Sequence, residues 1–114
     1  MEKSQDPVPA YHQQFITDLR NHDATAINYL QGCYICPLIF ILLPATNSFP
    51  EAFQIVIKTF NIARDRIGEY IDEPTNSIYM WLLRLMTDYL GETPGKEQYQ
   101  TYLLKLVGKT QPPY

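Results

Sequence analysis

Between residues 49 and 70 the apolar side chains Phe49, Phe53, Val56, Phe60, Ala63, Ile67 and Tyr70 follow one another at steps of 4, 3, 4, 3, 4 and 3. That spacing keeps them on one stripe of an α-helix. Ser48 and Glu51 stand three apart at the head of the stripe, the pattern of a capping box, and Pro50 fits a first turn. Asp72, Glu73 and Pro74 are expected to end the helix. A stripe of this length also suits a coiled coil, but in a chain with other helices it predicts a face turned to the chain's own core.

The same periodicity places four more helices. Tyr11, Phe15, Ile16 and Leu19 predict a short one that starts near Pro9 and closes at Asn21 and His22. Asp23 is placed to cap a second helix from Ala24, with Ile27, Leu30 and Tyr34 on its apolar face. Gly32 lowers helix propensity by about 1 kcal/mol, and Pro37 disfavours helical geometry at Cys36. This helix is therefore expected to stop near Gly32 or to continue with a kink at Pro37. The run LIFILL at 38–43 reads as helix or strand on periodicity alone. Helix is preferred, because no partner strand is visible.

A fourth helix is expected from about residues 75–77 to Gly91, with the glycine as a left-handed terminator. Ser77, Arg84, Thr87 and Asp88 form its only polar strip, and a helix so apolar belongs at the centre of a fold. Thr93 and Pro94 open a fifth, whose face is Tyr99, Tyr102, Leu103, Leu106 and Val107 and whose end is Gly108. Residues 1–8 are read as a flexible N-terminal segment and 109–114 as an extended tail. The prediction is an all-α fold, a compact bundle of about five helices in a single domain over 1–114.

Composition supports one core. The 114 residues are 46% hydrophobic and 13% aromatic, enough for one domain without staples. The net charge of −3 and the scattered positions of nine lysines and arginines argue against nucleic acid, whose binders concentrate cations on one face. The first 30 residues carry no signal-peptide pattern, so a reducing cytoplasm is the expected compartment. Between Asp23 and Glu51 no residue is charged. The most apolar part, residues 33–45, falls short of the roughly 20 residues that span a bilayer. It reads as a buried core element, with membrane association through 33–45 as an alternative.

Cys33 and Cys36 are the one chemically suggestive pair. A redox role needs a lowered thiol pKa, from a helix N-terminus or nearby cations. No Lys, Arg or His lies within ten residues of Cys33. A structural zinc site needs four ligands, and this pair supplies two, while His12 and His22 are ten apart. Two buried thiols packing as small hydrophobes is the expected reading. Asp65, Glu69 and Asp72 (or Glu73) follow one side of the third helix and form half of a divalent-cation motif. A solvated, arginine-neutralised helix end is the plainer reading. Neither histidine has a nucleophile beside it, and the five glycines are isolated, so no phosphate loop exists.

With no catalytic constellation, the expected function is a non-catalytic protein–protein interaction module, a small helical subunit, adaptor or regulator. It is expected to act through an apolar surface as a homodimer, without cofactor or metal. Leu38, Ile39, Phe40, Ile41 and Trp81 are the candidate contacts, since large apolar patches mark interaction sites. The alternatives are a metal-dependent helical enzyme or ligand-binding domain using the acidic stripe, and membrane association.

Overall fold

A computed structural model describes residues 7–71 and 76–110. Within them the chain is all-α: helices α1 (Pro7–Arg20), α2 (Ala24–Thr46), α3 (Phe49–Arg66), α4 (Ile78–Glu92) and α5 (Glu97–Thr110), with a 3-10 turn at Ile67–Glu69 after α3. Helix α2 packs on α3, α3 on α4, α4 on α5, and α5 returns to α2, which closes a four-helix circuit. Helix α1 lies across α2 and the 3-10 turn. The interior is filled by Leu38, Leu42, Val56, Leu82, Met86, Leu90 and Leu103, none of which keeps measurable exposure. The all-round apolar α4 contributes eight of these or adjoining buried side chains.

The connections are made by local chemistry. His22 takes a left-handed conformation (φ 59°), and the Asp23 amide reaches back 2.9 Å to the Asp18 carbonyl, closing α1. The Asp23 carboxylate then accepts from the Ala26 amide at 2.9 Å and starts α2. Asn47, also left-handed (φ 54°), ends α2, and the Ser48 hydroxyl accepts from the Glu51 amide at 3.3 Å to start α3. The capping box is half formed. The Ser48 amide donates to the Thr46 hydroxyl at 3.2 Å, which leaves the Glu51 carboxylate free to face Lys96.

Behind α1 the Arg20 guanidinium donates to the Tyr70 carbonyl at 2.6 Å, and the Tyr70 hydroxyl donates to the Asn76 carbonyl at 2.9 Å. Asn76 in turn donates to the Ile71 carbonyl at 2.7 Å and accepts from Arg84. The Tyr70 ring packs 5.2 Å from Trp81. Tyr70 thus joins the end of α3 to α1 and α4.

The sequence expectations are met in part. Helix α2 does not stop at Gly32; it continues through Pro37 and Pro44, the second of the two expected courses, and LIFILL is helical as preferred. Phe49 (57% exposed) and Phe53 (40% exposed) point outward and stack on each other at 6.2 Å. A helix drifts about 20° per heptad against a strict seven-residue repeat. The core face is therefore Ala52, Ile55, Val56, Thr59, Phe60, Ala63 and Ile67, and the stripe's first two members fall off it. Thr87 is buried, its hydroxyl donating to the Leu83 carbonyl at 2.7 Å, as Thr59 does to Ile55 at 2.9 Å. Gly91 lies within α4, where the Gln100 side chain occupies the space a Cβ would need, and the left-handed glycine is Gly95 (φ 86°). Helix α5 begins at Glu97 and continues past Gly108 to Thr110. The expectations for residues 1–6, 72–75 and 111–114 lie outside the described residues.

Candidate interaction surface

Helix α2 has two apolar faces, and the bundle uses one. Its buried residues are Ala26, Leu30, Leu38, Ile39, Leu42 and Thr46. Tyr29 (63% exposed), Cys33, Cys36, Pro37, Phe40 (68% exposed) and Pro44 face outward. On a straight helix these six fall within an arc of about 100°. No charged side chain interrupts them, because none exists between Asp23 and Glu51.

The prolines explain why the outer face keeps its polarity hidden in the backbone. Pro37 and Pro44 have no amide hydrogen, so the carbonyls of Cys33 and Phe40 lose the donor that an α-helix would supply four residues on. Both prolines are exposed, where another donor can replace the missing one. On the inner face the same residues would leave dry, unsatisfied carbonyls at a cost of about 1–3 kcal/mol each.

The two cysteines are free and exposed. This corrects the expectation that they are buried as small hydrophobes. Because α2 is apolar on every side, its pattern gives no helical phase, and cysteine's general preference for interiors chose the wrong side. The Tyr29 hydroxyl hydrogen-bonds the Cys33 thiol, which raises the phenol above its ordinary pKa. The Tyr29 ring meets Phe15 of α1 edge-on at 5.4 Å. On the neighbouring side Tyr34 stacks on Tyr79 of α4 at 5.8 Å, and burial raises both phenols.

Of the five contact candidates, the structure leaves Phe40 outside. Ile41 is half-buried, while Leu38, Ile39 and Trp81 are interior. Leu38 and Ile39 face the bundle, and Trp81 packs on Tyr70, so a partner cannot reach them without opening the core. Tyr29, Pro37 and Pro44 were missed. The available signal was the spacing of uncharged residues across the prolines, which marks the solvent side once Pro37 is placed outward.

The other candidates are not drawn into a site. Asp65 lies 3.9 Å from Arg64, and Glu69, in the 3-10 turn, accepts from Arg66 at 2.9 and 3.0 Å. Asp72 and Glu73 lie outside the described residues. Among the described residues no three His, Cys, Asp or Glu side chains gather closely enough to hold a metal. A small apolar pocket of about 10 Å³ between Leu19, Leu30, Phe60 and Ile67 has room for about one water. An open groove of about 280 Å³ between α1 and α2 is flanked by Phe15 and Tyr29. Its carboxylates are engaged, Asp18 by Gln14 at 2.8 Å and Asp23 by the cap of α2.

Helix α2 is long and apolar enough to cross a bilayer by length and composition, and little more than a quarter of its most apolar stretch is buried. No protein-family model, curated protein or solved structure matches this chain.

Proposed function

We propose that this chain is a non-catalytic protein-interaction module, a subunit, adaptor or regulator that works through the outer face of α2 in a reducing compartment. The observation that carries the reading is the uncharged row of Tyr29, Cys33, Cys36, Pro37, Phe40 and Pro44, exposed on a helix whose other face already completes the core. Isolated surface hydrophobes are ordinary, but a continuous uncharged face along a 23-residue helix is a patch, and such patches mark contact sites. A second reading, favoured by the length and apolar character of α2, is attachment to a bilayer through residues 33–45.

The test is a photoreactive benzoylphenylalanine in place of Phe40, irradiated in cells that express the chain. A covalent adduct with a protein supports the interaction reading. Adducts with lipid alone would favour the bilayer. No adduct at all would remove both.

A further inference from the structure

We infer that Cys33 and Cys36 form a binding site for a single thiophilic ion of low coordination number, Cu(I), on the outer side of α2. The site needs no protein partner, so it stands apart from the interaction reading above. Three observations carry it.

The first is spacing. Both thiols are free and exposed, three residues apart within α2. On an α-helix such a pair lies on one side, one turn apart, with Cβ atoms about 5–6 Å from each other. A disulfide needs them about 3.5–4.5 Å apart, so the helix holds the pair about 1–2 Å too wide for a direct S–S bond. A thiolate–metal bond is about 2.3 Å long, so one ion between the two sulfurs spans up to about 4.6 Å. The helix supplies that span without moving its backbone. Its inner side is fixed in the core through Leu30, Leu38 and Leu42, which keeps the two sulfurs in register.

The second is the number of donors. Among the described residues no third Cys, His, Asp or Glu joins the pair. Structural zinc and iron–sulfur centres, which take four protein ligands, are left short. Thiolate is a soft donor that selects Cu(I), an ion that two such ligands satisfy. Binding exchanges protons and transfers no electron. Two thiols and one Cu(I) give a bis-thiolate complex of charge −1 and release two protons.

The third is the group behind the first sulfur. The Tyr29 hydroxyl hydrogen-bonds the Cys33 thiol, and Phe15 meets the Tyr29 ring edge-on at 5.4 Å. Tyr29 stands one turn before Cys33, whereas Cys36 stands one turn after it. The phenol therefore reaches the sulfur from the side away from the ion. Once the thiol has given up its proton, the phenol donates to the thiolate. Such a hydrogen bond orients a metal ligand and tunes its basicity.

The test is an anaerobic titration of the reduced chain with Cu(I) against bicinchoninate, a chelator whose colour reports the copper it loses. One Cu(I) per chain is expected, with no copper-dependent increase in size on sedimentation. Cys33→Ser and Cys36→Ser are each expected to weaken binding by roughly a hundredfold or more, and Tyr29→Phe by about tenfold. Both serine variants are expected to melt like the parent without copper, because the thiols lie outside the core. Lost binding is then not lost folding. Cu(I) is expected to raise the melting temperature of the parent, since the folded helix sets the spacing and the unfolded chain does not. Zn(II) is expected to bind far more weakly. Failure to take copper from bicinchoninate, one Cu(I) shared between two chains, or Zn(II) bound as tightly as Cu(I) would overturn the site. So would unchanged affinity in any of the three variants, or a melting temperature that copper does not move.

Discussion

The Lys96 ammonium lies 3.1 Å from the Glu51 carboxylate and ties the turn before α5 to the first turn of α3, across 45 residues of chain. The Tyr99 hydroxyl also hydrogen-bonds Glu51, and the Lys96 ammonium stands 5.8 Å over the Tyr99 ring. The bond from Lys96, followed by that from Tyr99, holds the Glu51 carboxyl below the usual carboxylate range. Two side chains from the start of α5 thus converge on one anion of α3.

A pH dependence follows with a definite sign. A carboxyl whose pKa is depressed by folding stabilises the fold above its unfolded pKa, near 4.3, and that contribution disappears as the pH falls through the depressed value. Glu51→Gln is expected to melt below the parent from neutral pH down to about pH 5, with the difference shrinking at lower pH. Melting curves by circular dichroism between about pH 2 and pH 7 check it. A difference that widens as the pH falls would show that the Lys96 contact does not act through the Glu51 charge.

The orientation of α2 is open to a paired substitution. Leu42 is fully buried and Phe40, two residues away, is 68% exposed. Leu42→Ala is expected to cost about 2–5 kcal/mol through the lost burial and the cavity left behind. Phe40→Ala is expected to fall within about 0.5 kcal/mol of the parent when the chain is dilute. Urea denaturation measures both. The reverse order would mean that α2 is rotated.

The left-handed residues make a graded pair. His22 and Asn47 both hold positive φ, 59° and 54°. A Cβ-bearing residue there is strained by about 1–2 kcal/mol, and asparagine tolerates the conformation better than histidine. Glycine removes the strain but gains freedom in the unfolded chain. His22→Gly is therefore expected to stabilise by about 0.5–1 kcal/mol, and Asn47→Gly to change little. Thermal melts of the two variants decide the order.

Gln100 supplies a coupled pair with Gly91. Its side-chain amide donates to the Thr87 carbonyl at 3.3 Å from the space a methyl at Gly91 would take. Gly91→Ala alone gains helix propensity, about 1 kcal/mol, but displaces Gln100. In a Gln100→Ala background the gain is expected in full, so the same substitution stabilises more there than in the parent. A double-mutant cycle by urea denaturation reads the coupling.

How far the sequence reveals this structure depends on how one-sided each element is. Helices α1, α4 and α5 carry polar residues that give the pattern a direction, and the caps at Asp23, Ser48 and Ser77 are written in the side chains that make them. The a/d stripe of α3 locates the helix but overstates its core, because a seven-residue repeat is not the period of a straight helix. Helix α2 is apolar on every side, so composition identifies it as a greasy segment without saying which side faces in. For that reason Cys33 and Cys36 are assigned to the core on residue type and stand outside it. Leu38, Ile39 and Trp81 are assigned to a surface on hydrophobicity and stand inside it. The prolines held the missing information, since a carbonyl deprived of its helical donor is best placed where another donor can reach it.

The most direct measurement is the labelling rate of Cys33 and Cys36 with a thiol reagent in the native chain, compared with the rate in urea. The expected result is labelling of both thiols in the native chain at a rate close to that of the unfolded one, as their exposure on the outer face of α2 requires. Labelling that becomes rapid only on unfolding would place the thiols in the core and contradict the orientation of α2.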